Sequence, residues 1–296
     1  MTGVYQVGLT APPFHPRCRG TTIPVTDNLL SKNRQRAARD PETGKTVYVN
    51  EMTYEEWKEN FVNEKGQQAW DYYSKGAKNL KIDTEQFDRY KDVLGKYAPE
   101  SLEEFQKIKY NNTSEWNSLK HSYRVVNSYE DNSGNMDKMK IVELDDFAFN
   151  TKTKGFTGRA KNKANIAVME LDGEIKIANS QLNNEDDAAY KNFKYDEVNK
   201  LFENKSIGKI TKDNLVLQKE TAEFKTIEVG SHSREMDSEA KLFEYAADIA
   251  KDGKEHTINM LSEKCMCDSC LGVMKQFKNK YPNVTVNVVS NKKERA

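Results

Sequence analysis

The sequence predicts an α/β fold in the C-terminal half of the chain, a mixed sheet with packed helices, preceded by a small mainly helical region. Three observations predict it. Two apolar runs, 166–171 and 174–177, flank Asp172-Gly173, and both turn residues tolerate positive φ, which is a two-residue hairpin signal. Beyond residue 236 the apolar period switches between about 3.6 and 2, helix then strand, twice over. Upstream, residues 63–130 are polar with scattered aromatics and no period of two.

Taken in order, residues 1–62 are turn-rich, with Pro12, Pro13, Pro16, Pro24 and the turn-prone run Asp40-Pro41-Glu42-Thr43-Gly44. A helix start is expected at Met52 to Trp57, with Thr53 as N-cap and Glu56 three residues on. Residues 63–130 read as helices whose aromatics, among them Trp70, Phe87, Tyr90, Phe105 and Trp116, pack a small core. A base-stacking surface is the rival reading of these rings, but no basic stripe accompanies them. Residues 129–136 read as a linker, and 131–159 as the connection to a domain at 160–296. Residues 180–223 are expected to be loop with a short helix near 195–202. Phe224, Ile227 and Val229 predict a strand over 224–229. An amphipathic helix follows over 237–250, carrying Leu242, Phe243, Ala246, Ala247 and Ala250 on one face. Residues 257–261 read as a strand, 267–280 as a helix with Leu271, Met274 and Phe277 in step, and 284–288 as a closing strand. Strands alternating with helices make a sheet with helices on it.

Composition narrows the classes. Charged residues are 31% and apolar residues 36%, polar for a folded protein yet not a disordered one. Lys+Arg and Asp+Glu are both 46, so no global field draws the chain to nucleic acid or membrane, and any nucleic-acid contact must come from a local patch. No apolar run approaches the ~20 residues of a membrane helix. No secretory signal is read at the N-terminus, and the expectation is a protein made in a reducing cytosol. Three of the four cysteines, Cys265, Cys267 and Cys270, cluster, which favours metal or catalysis over disulfides.

The chemistry concentrates in two places. Cys267 and Cys270, at i and i+3 in the first turn of a helix, can both face one metal, and the helix N-terminus favours their thiolates. A catalytic zinc takes three protein ligands and keeps one position open, so a third ligand must come from another element. Asp237 and Glu239 stand at the start of the preceding helix, where one side chain can bind the metal and the other can reach the water on it. The stretch from Glu239 to Cys267 fits one helix, a loop and one strand, bringing both helix starts to the same sheet edge. A Cys-x-x-Cys alone is also a common structural zinc half-site or thiol pair. Cys265 reads as a bystander thiol. His232 is the alternative third ligand, or an exposed loop residue that contacts substrate. Lys275, Lys278, Lys280, Lys292, Lys293 and Arg295 make the C-terminus mildly basic; solvation is the default reading, phosphate contact the second.

These residues carry a resemblance. Asp237-Ser238-Glu239, then Cys265-Met-Cys267-Asp-Ser-Cys270-Leu-Gly-Val-Met-Lys-Gln-Phe277, then Tyr281-Pro-Asn-Val-Thr-Val286, resemble the bacterial polymorphic-toxin branch of the zinc-dependent cytidine deaminase superfamily, over roughly 160–290. The resemblance implies a cytidine-deaminase-like sheet and a Zn2+ cofactor held by Asp237, Cys267 and Cys270. It implies Glu239 as general acid/base, and Ser262 and Glu263 where the family contacts substrate. Two departures stand out. The first ligand is Asp rather than the commoner His, and Met266 replaces the Pro that usually precedes the first cysteine.

A second resemblance covers residues 4 to about 125. Ala11-Pro-Pro-Phe-His15-Pro-Arg-Cys18-Arg-Gly-Thr-Thr-Ile-Pro24, then 37–45, 52–57 and 105–110, resemble the end of a Mu-F-type phage minor head (head morphogenesis) protein. His15 and Cys18 read as a structural turn, since no further ligands accompany them. Together the two resemblances imply a deaminase toxin fused to a head-protein remnant, acting on cytosine in single-stranded nucleic acid or in a free nucleotide. A cognate immunity protein and a phage capsid or portal are implied partners, no membrane is, and the place of action is bacterial cytoplasm or a virion. The rivals are a head-morphogenesis structural protein with an inactive zinc-binding domain, and a module that binds a nucleotide without turning it over.

Overall fold

The computed structural model describes residues 35–39, 45–50, 75–133, 136–203, 208–227 and 234–292. The chain divides into two compact units, 1–78 and 79–296. In the first, β1 (Gln35–Arg39) pairs antiparallel with β2 (Thr46–Asn50), Gln35 opposite Asn50. The turn-prone residues 40–44 lie between them in sequence. The helix start expected at 52–57, the rings of Trp70, Tyr72 and Tyr73, and His15 and Cys18 lie outside the described residues.

The second unit begins with three helices, α1 (Leu80–Leu94), α2 (Leu102–Asn111) and α3 (Thr113–Ser128). Ser101 and Asn112 cap α2 and α3 by accepting from the backbone N–H of Glu104 and Glu115. Phe87, Tyr90, Phe105, Trp116 and Tyr123 pack on one another between these helices, stacked where Tyr90 meets Trp116 and Tyr123 and tilted or edge-on elsewhere. Among the described residues these aromatics therefore form a packed core.

Two stretches differ from expectation. The residues read as a linker contain β3 (Tyr129–Asp131), which pairs antiparallel with the last strand, and α4 (Lys138–Asn150), which buries Ile141, Leu144 and Phe147 against the sheet. The polar run 130–135 concealed this, because β3 is an edge strand whose Glu130 and Asp131 face water. The strand expected from Phe224 to Val229 is also absent over its described part, 224–227. Its backbone N–H groups are taken by helix side chains instead. Phe224 donates to Glu244 Oε1, Lys225 to Gln276 Oε1 and Ile227 to Ser269 Oγ.

The sheet follows the sequence closely. β4 (Ile166–Leu171) and β5 (Glu174–Asn179) form the hairpin, and Asp172 and Gly173 turn at φ 50° and 89°. β6 (His256–Ser262) pairs antiparallel with β4 and parallel with β7 (Val284–Asn291). The strand order is β3-β7-β6-β4-β5, a mixed five-stranded sheet. Side chains alternate across it. Ile166, Val168, Ile177, Leu261 and Val289 face α3, α4 and α7 (Tyr195–Phe202). Ala167, Met169, Met260, Val286 and Val288 face α8 (Ser238–Ala250) and α9 (Asp268–Lys280). Between α4 and β4 lie a π-helical turn, Thr151–Gly155, and the short α5 (Gly158–Asn162), and the short α6 (Ala188–Lys191) lies between β5 and α7. Gly155 is required in that turn, because a Cβ there would sit 2.6 Å from the Phe193 ring. Helices thus cover both faces of the sheet in a deaminase-like α/β arrangement. The starts of α8 and α9 both come to the end of β6 that carries Ser262.

Candidate metal and proton-transfer site

Asp237 occupies the N-cap of α8 with extended backbone, yet its carboxylate makes no capping bond. An N-cap Asp ordinarily accepts from the first-turn N–H groups. Here Asp237 Oδ2 instead lies 3.6 Å from Cys267 Sγ and 3.4 Å from Cys270 Sγ. Cys267 is the N-cap of α9, and its sulfur accepts from the backbone N–H of Cys270. One donor atom from each of the three residues lies within 4.8 Å of the others, and this is the one such group of three or more metal-ligating side chains among the described residues.

The donor set fits a metal. Zn–S near 2.3 Å and Zn–O near 2.1 Å at tetrahedral angles set S···O edges of about 3.6 Å. The two observed separations, 3.6 and 3.4 Å, lie at or close to that value. One oxygen and two sulfurs leave a fourth position open, as catalytic zinc sites do. The sulfurs are already unequal. The hydrogen bond with Cys270 holds the Cys267 thiol down to about 6, against a smaller opposing effect of burial. The same bond, then burial, pushes Cys270 up.

Glu239 stands in the first turn of α8, on its buried side, 3% exposed. Its Oε1 accepts from the Ser262 hydroxyl at 2.6 Å and from Asn165 Nδ2 at 3.0 Å. Its Oε2 accepts from Ser238 Oγ at 3.1 Å and lies 3.8 Å from Cys270 Sγ. Burial pushes the Glu239 carboxyl up from its ordinary value, and the neighbouring Asp237 carboxylate pushes in the same direction. A carboxyl raised in this way is better suited to proton transfer than an ordinary exposed one.

The structure thus brings Asp237, Glu239, Cys267, Cys270 and Ser262 together. Ser262 is fully buried and commits its hydroxyl to Glu239. Glu263 points elsewhere and pairs with Lys152. Cys265 is half-buried, and its thiol donates to the carbonyl oxygen of Met266. His232 lies outside the described residues.

Sequence reading missed Asn165. Its amide donates to Ser238, Glu239 and Ser262, and its Oδ1 accepts from the backbone N–H of Lys264. The only sequence signal is a polar amide immediately before an apolar strand. Lys241, one turn beyond Asp237, was also passed over. It is buried and donates to the carbonyl oxygens of Asn179 and Leu182 and to Asn183 Oδ1, tying the segment after β5 to α8. Burial pulls its amine down to about 8.

Residues 151–292 match the model of the Toxin-deaminase family, described as the BURPS668_1122 family of deaminases. The match covers the π-helical turn, the whole hairpin, both site helices and β7, and supports a deaminase-family domain in this part of the chain. Neither the curated proteins nor the solved structures include a match to the chain.

Proposed function

We propose that the chain is a zinc-dependent hydrolytic deaminase toxin acting on cytosine, in single-stranded nucleic acid or in a free nucleotide. One observation carries the reading. A buried carboxyl, Glu239, stands beside an Asp/Cys/Cys corner whose spacing suits tetrahedral zinc, inside the region that matches a deaminase family.

Asp237, Cys267 and Cys270 would hold the metal, and zinc there supplies Lewis acidity that makes hydroxide available near neutral pH. The division of labour within Glu239 follows from its contacts. Oε1 is anchored by Ser262 and Asn165, while Oε2 faces the metal corner. Oε2 is therefore the proton-carrying atom. It accepts the proton of the attacking water and delivers it to the ring nitrogen as the new C–O bond forms. Oε2 then takes the proton of the new hydroxyl on the attacked carbon and passes it to the exocyclic amine, so that ammonia leaves as the C–N bond breaks and the carbonyl forms. Asn165 and Ser262 keep the carboxyl in one orientation through both transfers. Glu239 lies too deep for a base stacked in a duplex, which favours single strands or mononucleotides. The head-protein-like segments at 11–24 and 52–57 lie outside the described residues, and attachment to a phage particle belongs to the proposal on sequence grounds alone.

The test is sequencing of DNA and RNA from bacteria briefly expressing the chain, beside a Glu239→Ala control, with zinc content measured on the purified proteins. C-to-T or C-to-U changes that require Glu239 support the reading. A-to-G changes move the substrate to adenine. Growth arrest that needs Glu239 without sequence changes points to free nucleotides. Neither arrest nor changes, with zinc bound, leaves the inactive structural protein.

A further inference from the structure

The chain as a whole is neutral, but its charge is not evenly spread. Between Asp146 and Glu170 it carries four lysines and one arginine and no acidic residue. Arg159, Lys161 and Lys163, on and just after α5, are exposed, as is Lys264. Among the described residues none of these four has an ion-pair partner. Elsewhere among the described residues exposed lysines occur both with an ion-pair partner, as Lys191 with Asp186, and without one, as Lys225 and Lys275, so the net positive charge of this stretch rests on its having no acidic residue of its own.

This basic stretch adjoins the Glu239 corner. Lys264 Nζ donates to the carbonyl oxygen of Lys163, and its backbone N–H donates to Asn165 Oδ1. Asn165 in turn donates to Glu239. Lys163 and Lys264 each stand two residues, at most about 7 Å of backbone, from a residue that holds Glu239. Lys152 pairs with Glu263, directly after Ser262 and directly before Lys264, and one turn before Lys152 stands Phe149. Phe149 is 65% exposed, on a helix that buries Phe147 and Ala148 beside it. A water-exposed phenyl ring and unpaired cations are the elements of single-strand recognition, phosphates on the cations and bases on the ring.

We propose that Phe149, Arg159, Lys161, Lys163 and Lys264 form a track for single-stranded nucleic acid beside the Glu239 corner, an inference that rests on the deaminase reading for its register. The exposed ring decides between polymer and monomer. A mononucleotide has one base, and the corner takes it. Phe149, outside the corner, has use only for a second base. Cations strung along α5 likewise exceed what one nucleotide's phosphates can reach.

The experiment is anisotropy of a fluorescent 15-nucleotide single strand, as DNA and as RNA, titrated with the full chain. Glu239→Ala is the background, so that binding is read without turnover. Arg159→Gln/Lys161→Gln/Lys163→Gln should weaken binding roughly 30- to 100-fold at 0.1 M salt and flatten the log Kd against log salt slope by about 2. Phe149→Ala should weaken it about 10-fold with the salt slope unchanged. All are surface positions, and Lys161→Gln and Lys264→Gln alone provide smaller steps should the triple variant melt early. In the chain with Glu239 intact, the triple variant should lose turnover on the oligonucleotide and keep it on deoxycytidine.

Unchanged binding in the triple variant overturns the track. So does an equal loss on anionic phosphatidylglycerol vesicles with no effect of Phe149→Ala, which would make the patch a general polyanion surface. The two readings fail separately. Glu239-dependent turnover that is indifferent to the track variants keeps the deaminase and removes the track. Track-dependent binding with no turnover on any cytosine compound does the reverse.

Discussion

Two buried carboxylates, one in each half of the second unit, show how differently this chain treats the same chemical group. Asp83, on α1, has no exposed surface, and three donors from α2 surround it: Lys109 Nζ at 2.7 Å, Gln106 Nε2 at 2.8 Å and the Tyr110 hydroxyl at 2.8 Å. Glu239, nearly as buried, receives only neutral donors and stands beside two thiols and another carboxylate. A buried charge given a cation is a fastener between helices. A buried carboxyl denied one is pushed up from its ordinary value, because burial disfavours its charged form. The contrast separates a carboxylate fastened into the structure from one whose surroundings suit the proton transfer proposed for it.

Substitutions can break that contrast. The largest effect is expected at Glu239→Gln, which keeps size and burial while removing the proton-carrying oxygen. Turnover should fall by about 10²- to 10⁴-fold, with Tm unchanged or higher because a buried acid has been neutralised. Retained turnover would remove Glu239 from the chemistry. A fall in Tm would make it a fastener like Asp83. The mirror experiment is Lys109→Met, which strips the cation from Asp83. Denaturant unfolding should show a loss of about 3–5 kcal/mol, while turnover by the folded protein stays at the parent level. A loss under 1 kcal/mol would mean that Gln106 and Tyr110 alone satisfy Asp83.

Asn165 sharpens the comparison because it serves both roles at once. Its amide bridges Ser238, Glu239 and Ser262, three residues from two elements. Asn165→Ala should lower kcat by about 10- to 100-fold, the usual cost of removing a group that orients a catalytic one. It should also lower stability by about 1–3 kcal/mol, since buried acceptors lose a donor. Loss of stability without loss of kcat would show that Ser262 fixes the orientation of Glu239 by itself.

How much of this could be read beforehand follows from distance along the chain. Asp237 with Glu239, and Cys267 with Cys270, are local patterns whose chemistry is tied to one helix turn each, so the sequence displays them. The Asp172-Gly173 hairpin and the period of α8 and β7 are local in the same sense. Asn165 meets Glu239 across a separation of 74 residues. Asp83 meets Lys109 across 26, and β3 meets β7 end to end of the domain. Nothing in an isolated Asn, Asp or polar tripeptide announces such partners. The segment at 224–227 failed for a related reason. Its alternation matched a strand, but the partners of its backbone turned out to be side chains of α8 and α9.

A third carboxylate falls between the two extremes and carries the smallest expected effect. Glu223, leading into that same segment, is partly exposed and faces Lys251 at 3.1 Å and Lys280 at 2.9 Å, with the Tyr281 hydroxyl donating to it. Burial alone would raise its carboxyl, but the Tyr281 bond and the two lysines outweigh it and hold it down to about 2. The folded state therefore binds fewer protons than the unfolded one between about 2 and the ordinary 4.5. The stabilisation is fully present above that window and is lost as pH falls through it. Solvent at the site limits the effect to about 1 kcal/mol. In the wild type, Tm should drop more steeply between pH 5 and about pH 3 than in Glu223→Gln, whose curve should lie lower at pH 7 and converge with it in acid. Parallel curves would mean that the lysines reach water as readily as they reach Glu223, and that the segment covering α8 and α9 is held by Glu244, Gln276 and Ser269 without it.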